Sequence, residues 1–302
     1  MNPIIIGAES DLGVHIDGAS VGPVQLINDI KTFYEGEIIE FKQDSNIIKS
    51  KNLSDRRKNE YELDKYNTNL YNNIVEKMND DNNFIITIGG DETVSIPSSL
   101  ALKEVKKDVG LIYFTGASLF DTFETTQNGN IRDLTIAGIT GYKTNELRYY
   151  HPESIPAARS VIIGVREMTE EQEENLKYAG ITYFSTEDIK EHGIEEILNQ
   201  AFEIVNYKTK CVHIAFSMSL LDPGVAPGVS IPVFDGLDET AITSIHEELL
   251  KHIDEIGSYD LLDFNPLRDI DRKTEQIAVN ILAQMINAAI HKSKLGKVDR
   301  KY

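Results

Sequence analysis

The chain has 302 residues, with 30 Lys and Arg against 49 Asp and Glu, giving a formal net charge of -19. That acidic balance repels phosphate backbones, and the basic runs, Arg56-Arg57-Lys58 and the tail from Lys292 to Lys301, are interleaved with polar residues. Nucleic-acid binding is therefore not expected. Hydrophobic residues at 41% and charged residues at 26% are ordinary globular composition. The length suits one large α/β domain or two smaller ones, and one domain over residues 1–302 is the simplest expectation. One cysteine, Cys211, excludes an internal disulfide and suits a reducing compartment. No stretch approaches the ~18 apolar residues of a membrane span. Met1 to Gly7 has no basic segment and only a short apolar run, so no secretory leader is expected. The expected location is the cytoplasm, with no membrane partner.

Taken in chain order, short apolar runs alternate with stretches of helical period. Strands are predicted at Ile4–Ala8, Glu37–Phe41, Phe84–Ile88, Val109–Phe114, Ser160–Val165, Ile181–Phe184, Val212–Phe216 and Tyr259–Phe264. Several have apolar residues at consecutive positions, as strands covered on both faces do. Helices are predicted at Gly22–Tyr34, Tyr61–Met78, Ser95–Lys106, Thr169–Tyr178, Ile194–Tyr207, Asp238–His252 and Lys273–Lys292. This alternation predicts a parallel sheet with helices on both faces, and ligand sites at the carboxyl ends of its strands. Four loops there are long or oddly composed: Gly89–Ser95, Thr115–Thr140, Arg166–Glu173 and Ser217–Asp238. The polar stretch Gln43–Asn59 reads as a surface excursion.

Those loops carry recognisable segments. They include Gly22-Pro23, Ile88-Gly89-Gly90-Asp91, Ile163-Gly164-Val165-Arg166 and the run from Gly180 to Ser185. Further on come Val212-His213-Ile214-Ala215-Phe216, Leu221-Asp222-Pro223, Ala226-Pro227-Gly228 and Asp263-Phe264-Asn265-Pro266. In this order the chain resembles the ureohydrolase family of arginase, agmatinase and formiminoglutamase, nearly end to end and most nearly arginase itself. The resemblance implies a three-layer α/β/α fold on a mostly parallel eight-stranded sheet. It also implies two manganese ions, whose bridging water becomes a hydroxide nucleophile near neutral pH.

The positions that match the family's metal ligands carry other residues. The His of the Gly-Gly-Asp-His stretch is Glu92. The Asp-Ala-His-x-Asp loop aligns on Thr115, Ala117 and Leu119, and the Ser-Phe-Asp-x-Asp pair on Ser217 and Ser219. Only Glu92 among these six is anionic, and a lone carboxylate does not hold two divalent cations. Arg132 stands at the proton-shuttle His, and arginine does not exchange protons near pH 7. The substrate positions are Asn128 and Asn130, Thr169 and Gln172 in place of acidic residues, and Asp263 in place of a guanidinium-pairing Glu. The expectation is a catalytically silent arginase-like protein without manganese. Its role would be binding, regulatory or structural, as a homo-oligomer or mixed oligomer with an arginase-like partner. The alternative is a hydrolase with an altered site, acting on a guanidino or amidino substrate such as arginine or agmatine. A third possibility is a binding module for an amino acid or guanidino compound.

Individual residues carry competing readings. Asp91-Glu92 with Asp121 or Asp222 would make a hard-cation site; alternatively Asp91 and Asp222 cap loops by accepting backbone N–H bonds. Glu92 is expected to accept from Ser217 or Ser219, or to pair with Arg132. His213 reads as a structural strand histidine. His15, His151, His192, His246, His252 and His291 read as surface or loop residues without metal-ligand spacing. Thr115, Ser118, Ser217 and Ser219 lack a neighbouring His base, which argues against nucleophilic catalysis. Cys211 reads as a small core residue, and Glu170–Glu174 as a solvated helix start.

Overall fold

The computed structural model describes residues 1–50, 52, 55–143, 147, 153–209 and 211–298, with side chains as far as residue 291. His151 and the side chains of the basic tail from Lys292 lie outside the described residues.

Among the described residues, eight strands form one sheet: β1 Asn2–Glu9, β2 Glu37–Lys42, β3 Asn83–Gly89, β4 Gly110–Phe114, β5 Ser160–Val165, β6 Thr182–Ser185, β7 Val212–Ser217 and β8 Ile256–Leu262. Their spatial order is β2-β1-β3-β8-β7-β4-β5-β6, and every pair is parallel. Consecutive apolar residues are what such strands need, because both faces are covered. In β3, Phe84, Ile86 and Ile88 enter one core and Ile85 the other; in β4, Ile112 and Phe114 face Leu111 and Tyr113 in the same way. The first core is closed by α1 Gly22–Ile30, α6 Thr186–His192, α7 Ile194–Val205, α8 Glu239–Lys251 and α9 Lys273–Val298. The second is closed by α2 Glu60–Met78, α3 Ser95–Lys106, α4 Thr135–Thr140 and α5 Glu170–Ala179. This is the expected three-layer arrangement, with the sheet entirely parallel among the described residues.

Two helices were not predicted. α4 and α6 have only 6 and 7 residues, too short for an apolar period, and α6 contributes little apolar surface beyond Ile189. α6 is defined instead by a capping box, with Ser185 and Asp188 each bonding the other's backbone N–H. β8 begins at Ile256 and ends before Asp263, whose φ of 61° takes the backbone out of the extended region.

The stretch from Gln43 runs along the surface as expected, with Ile48 95% exposed, and is tied down at its end: Lys58 is 2% exposed and Asn59 is buried, its amide bonded to the Leu12 carbonyl at 2.8 Å. One expectation needs correction: His246 is no surface residue. It is 1% exposed on the inner face of α8, with Nδ1 at 2.9 Å from the Ile242 carbonyl and Nε2 at 3.0 Å from the Tyr259 hydroxyl. A helical period around it was legible, but which face met β8 was not. His213 is buried in β7 between Ser258 at 2.7 Å and Asp260 at 3.0 Å, a structural position. No helix among the described residues is long and apolar enough to cross a membrane.

Burial pushes the His246 imidazole down to about 4, so the unfolded chain takes up a proton there that the folded chain refuses. The sign follows: stability linked to His246 is present above its ordinary pKa and is lost as the pH falls. Denaturant titrations should show a loss through this group of roughly 3 kcal/mol between about pH 6.5 and about pH 4. His246→Asn should show a smaller slope across the same window; an unchanged slope would contradict the assignment.

Candidate functional site

The sheet order makes β3, β8, β7 and β4 neighbours, so their carboxyl ends open side by side. Each delivers one part of the site: Glu92 follows β3, Asp263 follows β8, Ser217 ends β7, and Thr115 follows β4. Gly90 makes the turn after β3 possible, since a Cβ there would sit 1.8 Å from the Ser10 carbonyl oxygen. Its own carbonyl accepts the Asp263 N–H at 2.8 Å, tying two of the loops together. Asp91 caps the next turn, accepting from the Thr93 N–H and the Gly13 N–H, both at 2.8 Å. Asp222 likewise accepts from Gly224 and Gly236 N–H groups at 2.8 and 3.2 Å. Both carboxylates thus serve loops.

At the centre is a buried ion pair. Arg132 Nη2 donates to Glu92 Oε1 at 2.7 Å, with side chains 1% and 0% exposed. Ser217 Oγ donates to the same oxygen at 3.1 Å and stands 2.9 Å from Ser219 Oγ. Both contacts expected of Glu92 are present, and the positive end of α3 lies just beyond it. Asp263 Oδ1 accepts the Ser230 N–H at 3.0 Å. Burial pushes the Asp263 carboxyl well above the ordinary range; Glu92 raises it further and Arg132 opposes. Burial works against the charge on Arg132 as well, yet Glu92, Asp133, Asp263 and Asp91 around it hold its pKa above the ordinary value. A neutral Asp263 beside a Glu92–Arg132 pair leaves those three groups with no net charge, the arrangement a low-dielectric interior favours. Burial also pushes Asp91 up to about 6 against its hydrogen bonds. The folded chain therefore holds a proton that an unfolded carboxylate releases, and this group's stability contribution falls as the pH rises from about 4 to about 6.

The remaining predicted residues divide between the pair and a cleft above it. The cleft has a volume of about 260 Å³. Ala117, Leu119, Arg132, Asn128, Thr169 and Gln172 line it, together with the acidic Asp121, Asp133, Glu167 and Glu171. Thr169 and Gln172 form the capping box of α5, at 3.2 and 2.9 Å, so their polar atoms are largely engaged. Asn130 Oδ1 accepts the His15 N–H at 3.1 Å and faces His15 Nδ1 at 3.0 Å; it does not line the cleft. Thr115 Oγ1 accepts the Ala117 N–H at 3.3 Å. Leu119 is 1% exposed and holds a left-handed φ of 48°, a conformation a leucine adopts at some energetic cost. Ser118 is 1% exposed, and its hydroxyl has no hydrogen-bond partner among the described residues.

The model of the arginase family matches residues 2–287. The chain belongs to the arginase family. The arginase of Brevibacillus brevis is 25% identical over 292 residues, covering 94% of this chain and 97% of that protein. The arginase of Bacillus subtilis is 27% identical over 297 residues, covering 93% and 96%. Among solved structures, the native arginase of Bacillus caldovelox superposes with a TM-score of 0.86 at 24% identity, over 95% of this chain and 98% of that one. The Entamoeba histolytica arginase in complex with L-ornithine gives 0.85 at 20% identity, over the same shares. At these identities the superpositions establish the fold.

Sequence reasoning missed three cations that shape this arginase-family site. Arg166 fans its guanidinium over the carbonyls of Phe234, Ser219 and Val233 at 2.8 to 2.9 Å, clamping the loop after β7 to the loop after β5. The Lys49 side chain is 7% exposed and its ammonium lies 3.0 Å from a carboxylate oxygen of both Asp11 and Asp17. Its ammonium also donates to the Ile16, Asp11 and Val14 carbonyls, at 3.0, 3.1 and 3.3 Å. Lys58 donates to the Asn128 carbonyl, fixing the loop that carries Arg132. The one signal available was a basic side chain directly after an apolar strand or inside a polar run of an acidic chain. Carbonyl acceptors have no sequence signature.

The buried pair makes a quantitative prediction. Removing either partner strands the other's charge, so Glu92→Gln and Arg132→Met should each lose about 3–5 kcal/mol in urea denaturation. The double variant should recover at least half of the summed loss. Simple additivity would mean that the two side chains do not depend on each other.

Proposed function

We propose that this arginase-family chain is a catalytically silent member, with a binding, regulatory or structural role. The observation that carries the reading is the Arg132–Glu92 pair at 2.7 Å. It lies where the resemblance places a metal ligand and the proton shuttle. Two hard dications need several anionic oxygens and imidazole around them. The side chains at the six ligand positions are one carboxylate, already paired with a guanidinium, three hydroxyls, a methyl and an isobutyl group. A fixed positive charge of 1% exposure beside Glu92 adds repulsion to the shortage of ligands. These residues do not fit two manganese ions. No hydrolytic step through a metal hydroxide is derived for them.

A second reading, hydrolysis of a guanidino or amidino compound by an altered site, draws on the cleft. Its acidic lining of Asp121, Asp133, Glu167 and Glu171 suits a cationic ligand. Burial raises the Asp121 carboxyl, against hydrogen bonds from Gln172 and Thr125. The same lining serves a binding role without turnover, and arginine, ornithine and agmatine are the first ligands to test by thermal shift.

The deciding experiment incubates the purified chain with excess manganese, desalts it, and measures bound metal and urea release from arginine and agmatine. The expected result is far less than one ion per chain and no urea above background. One or two ions per chain with steady urea release would overturn the silent reading.

A further inference from the structure

We propose that the Arg132 guanidinium is the resident cation of the buried Glu92 carboxylate, and the plug that separates Glu92 and Asp263 from the cleft above. The inference deepens the reading of a silent site and rests on it.

The cleft has Arg132 in its wall, with Ser118 and Asp133 beside it. Glu92, Ser217, Ser219 and Asp263 do not line it. The guanidinium therefore stands between a solvent-reached acidic cleft and two fully buried acidic side chains. Its backbone is held in place: Arg132 N–H donates to the Gly13 carbonyl at 3.0 Å, and Gly13 N–H donates to Asp91 at 2.8 Å. The side chain is thus delivered by a turn tied through Gly13 to the loop that carries Asp91 and Glu92.

Behind the plug, acceptor capacity exceeds what one arginine takes up. Glu92 Oε2 and Asp263 Oδ2 are buried and accept no hydrogen bond among the described residues, while Glu92 Oε1 accepts two. Both residues are 0% exposed. Cutting the side chain of Arg132 back to a methyl leaves a space shaped by a planar cation and faced by the Glu92 carboxylate, the Asp263 carboxyl and the Ser217 hydroxyl. The ligand class that matches is a free guanidinium ion, whose flat fork of N–H donors fits carboxylates as the arginine does. Urea has nearly the same shape but no charge, which makes it the matched control.

The test measures thermal midpoints of the native chain, Arg132→Ala and the double variant Glu92→Gln/Arg132→Ala. Each is scanned with guanidinium chloride, urea or sodium chloride, at about 10 mM so that denaturation is negligible and site binding dominates. Guanidinium should raise the Arg132→Ala midpoint by roughly 3 °C or more over urea, because it binds only the folded state. The native chain should not respond, and the double variant should respond less. An Arg132→Ala protein that treats guanidinium and urea alike would overturn the plug, as would a native chain that gains as much as the variant. Should Arg132→Ala not fold unaided, the readout becomes refolding yield. Recovery with guanidinium and not with urea supports the plug, and equal yields overturn it. These outcomes are separable from the silent reading, which fails only if the native chain retains manganese and releases urea.

Discussion

Parallel pairing of the four central strands is the constraint on which the site depends. β3, β8, β7 and β4 lie next to each other although long stretches of chain separate them, and all four point the same way. Their carboxyl ends therefore meet on one edge, where the backbone leaves the sheet and no longer has ladder partners. Glu92, Asp263, Ser217 and Thr115 lie at that edge or within three residues of it. Close backbone contact at Gly90 and the bond from Asp263 N–H to the Gly90 carbonyl set how near they come. Changing the crossover order would scatter these residues without altering any one loop.

Once the edge is formed, electrostatics decides what it can contain. Burying a carboxylate without compensation costs several kcal/mol, and burying two side by side costs more. The chain answers with one guanidinium, aimed at Glu92, and with burial strong enough to favour the neutral form of Asp263. Desolvation opposes the charge on Arg132, but four nearby carboxylates outweigh it. A site balanced in this way has its positive charge built in through a covalent tether.

The chain is short of cations, with 30 against 49 acids, and it uses several of them on backbone carbonyls. Arg166, Lys49 and Lys58 each bridge loops that have no strand or helix partners of their own. A carbonyl at a loop turn carries only a partial charge, so one ammonium or guanidinium can satisfy several without a full counter-ion. Lys49 adds carboxylates from Asp11 and Asp17, which makes its contact the most heavily charged of the three. These contacts hold the stretch from Gln43 and the loops around Gly13, Asn128 and Val233 in register above the sheet.

Much of the fold was legible in the sequence. Eight short apolar runs, several of them apolar on both faces and alternating with helical stretches, point to a parallel layered sheet, because burial on both faces is a local property of each such run. The spacing of the segments around Gly90, Arg166, Ser217 and Asp263 carried the family. Helices α4 and α6 were not legible, because seven residues or fewer give no period to read. Nor was the inward face of His246, since a helix pattern does not say which neighbour it meets. Only the tertiary structure decided that Arg132 reaches Glu92 across 40 positions of chain, that Asn130 spends its oxygen on His15, and that the run from Gln43 is tied down. Such contacts depend on strand order and loop path, which arise from packing over the whole sheet and are not encoded near the residues that touch.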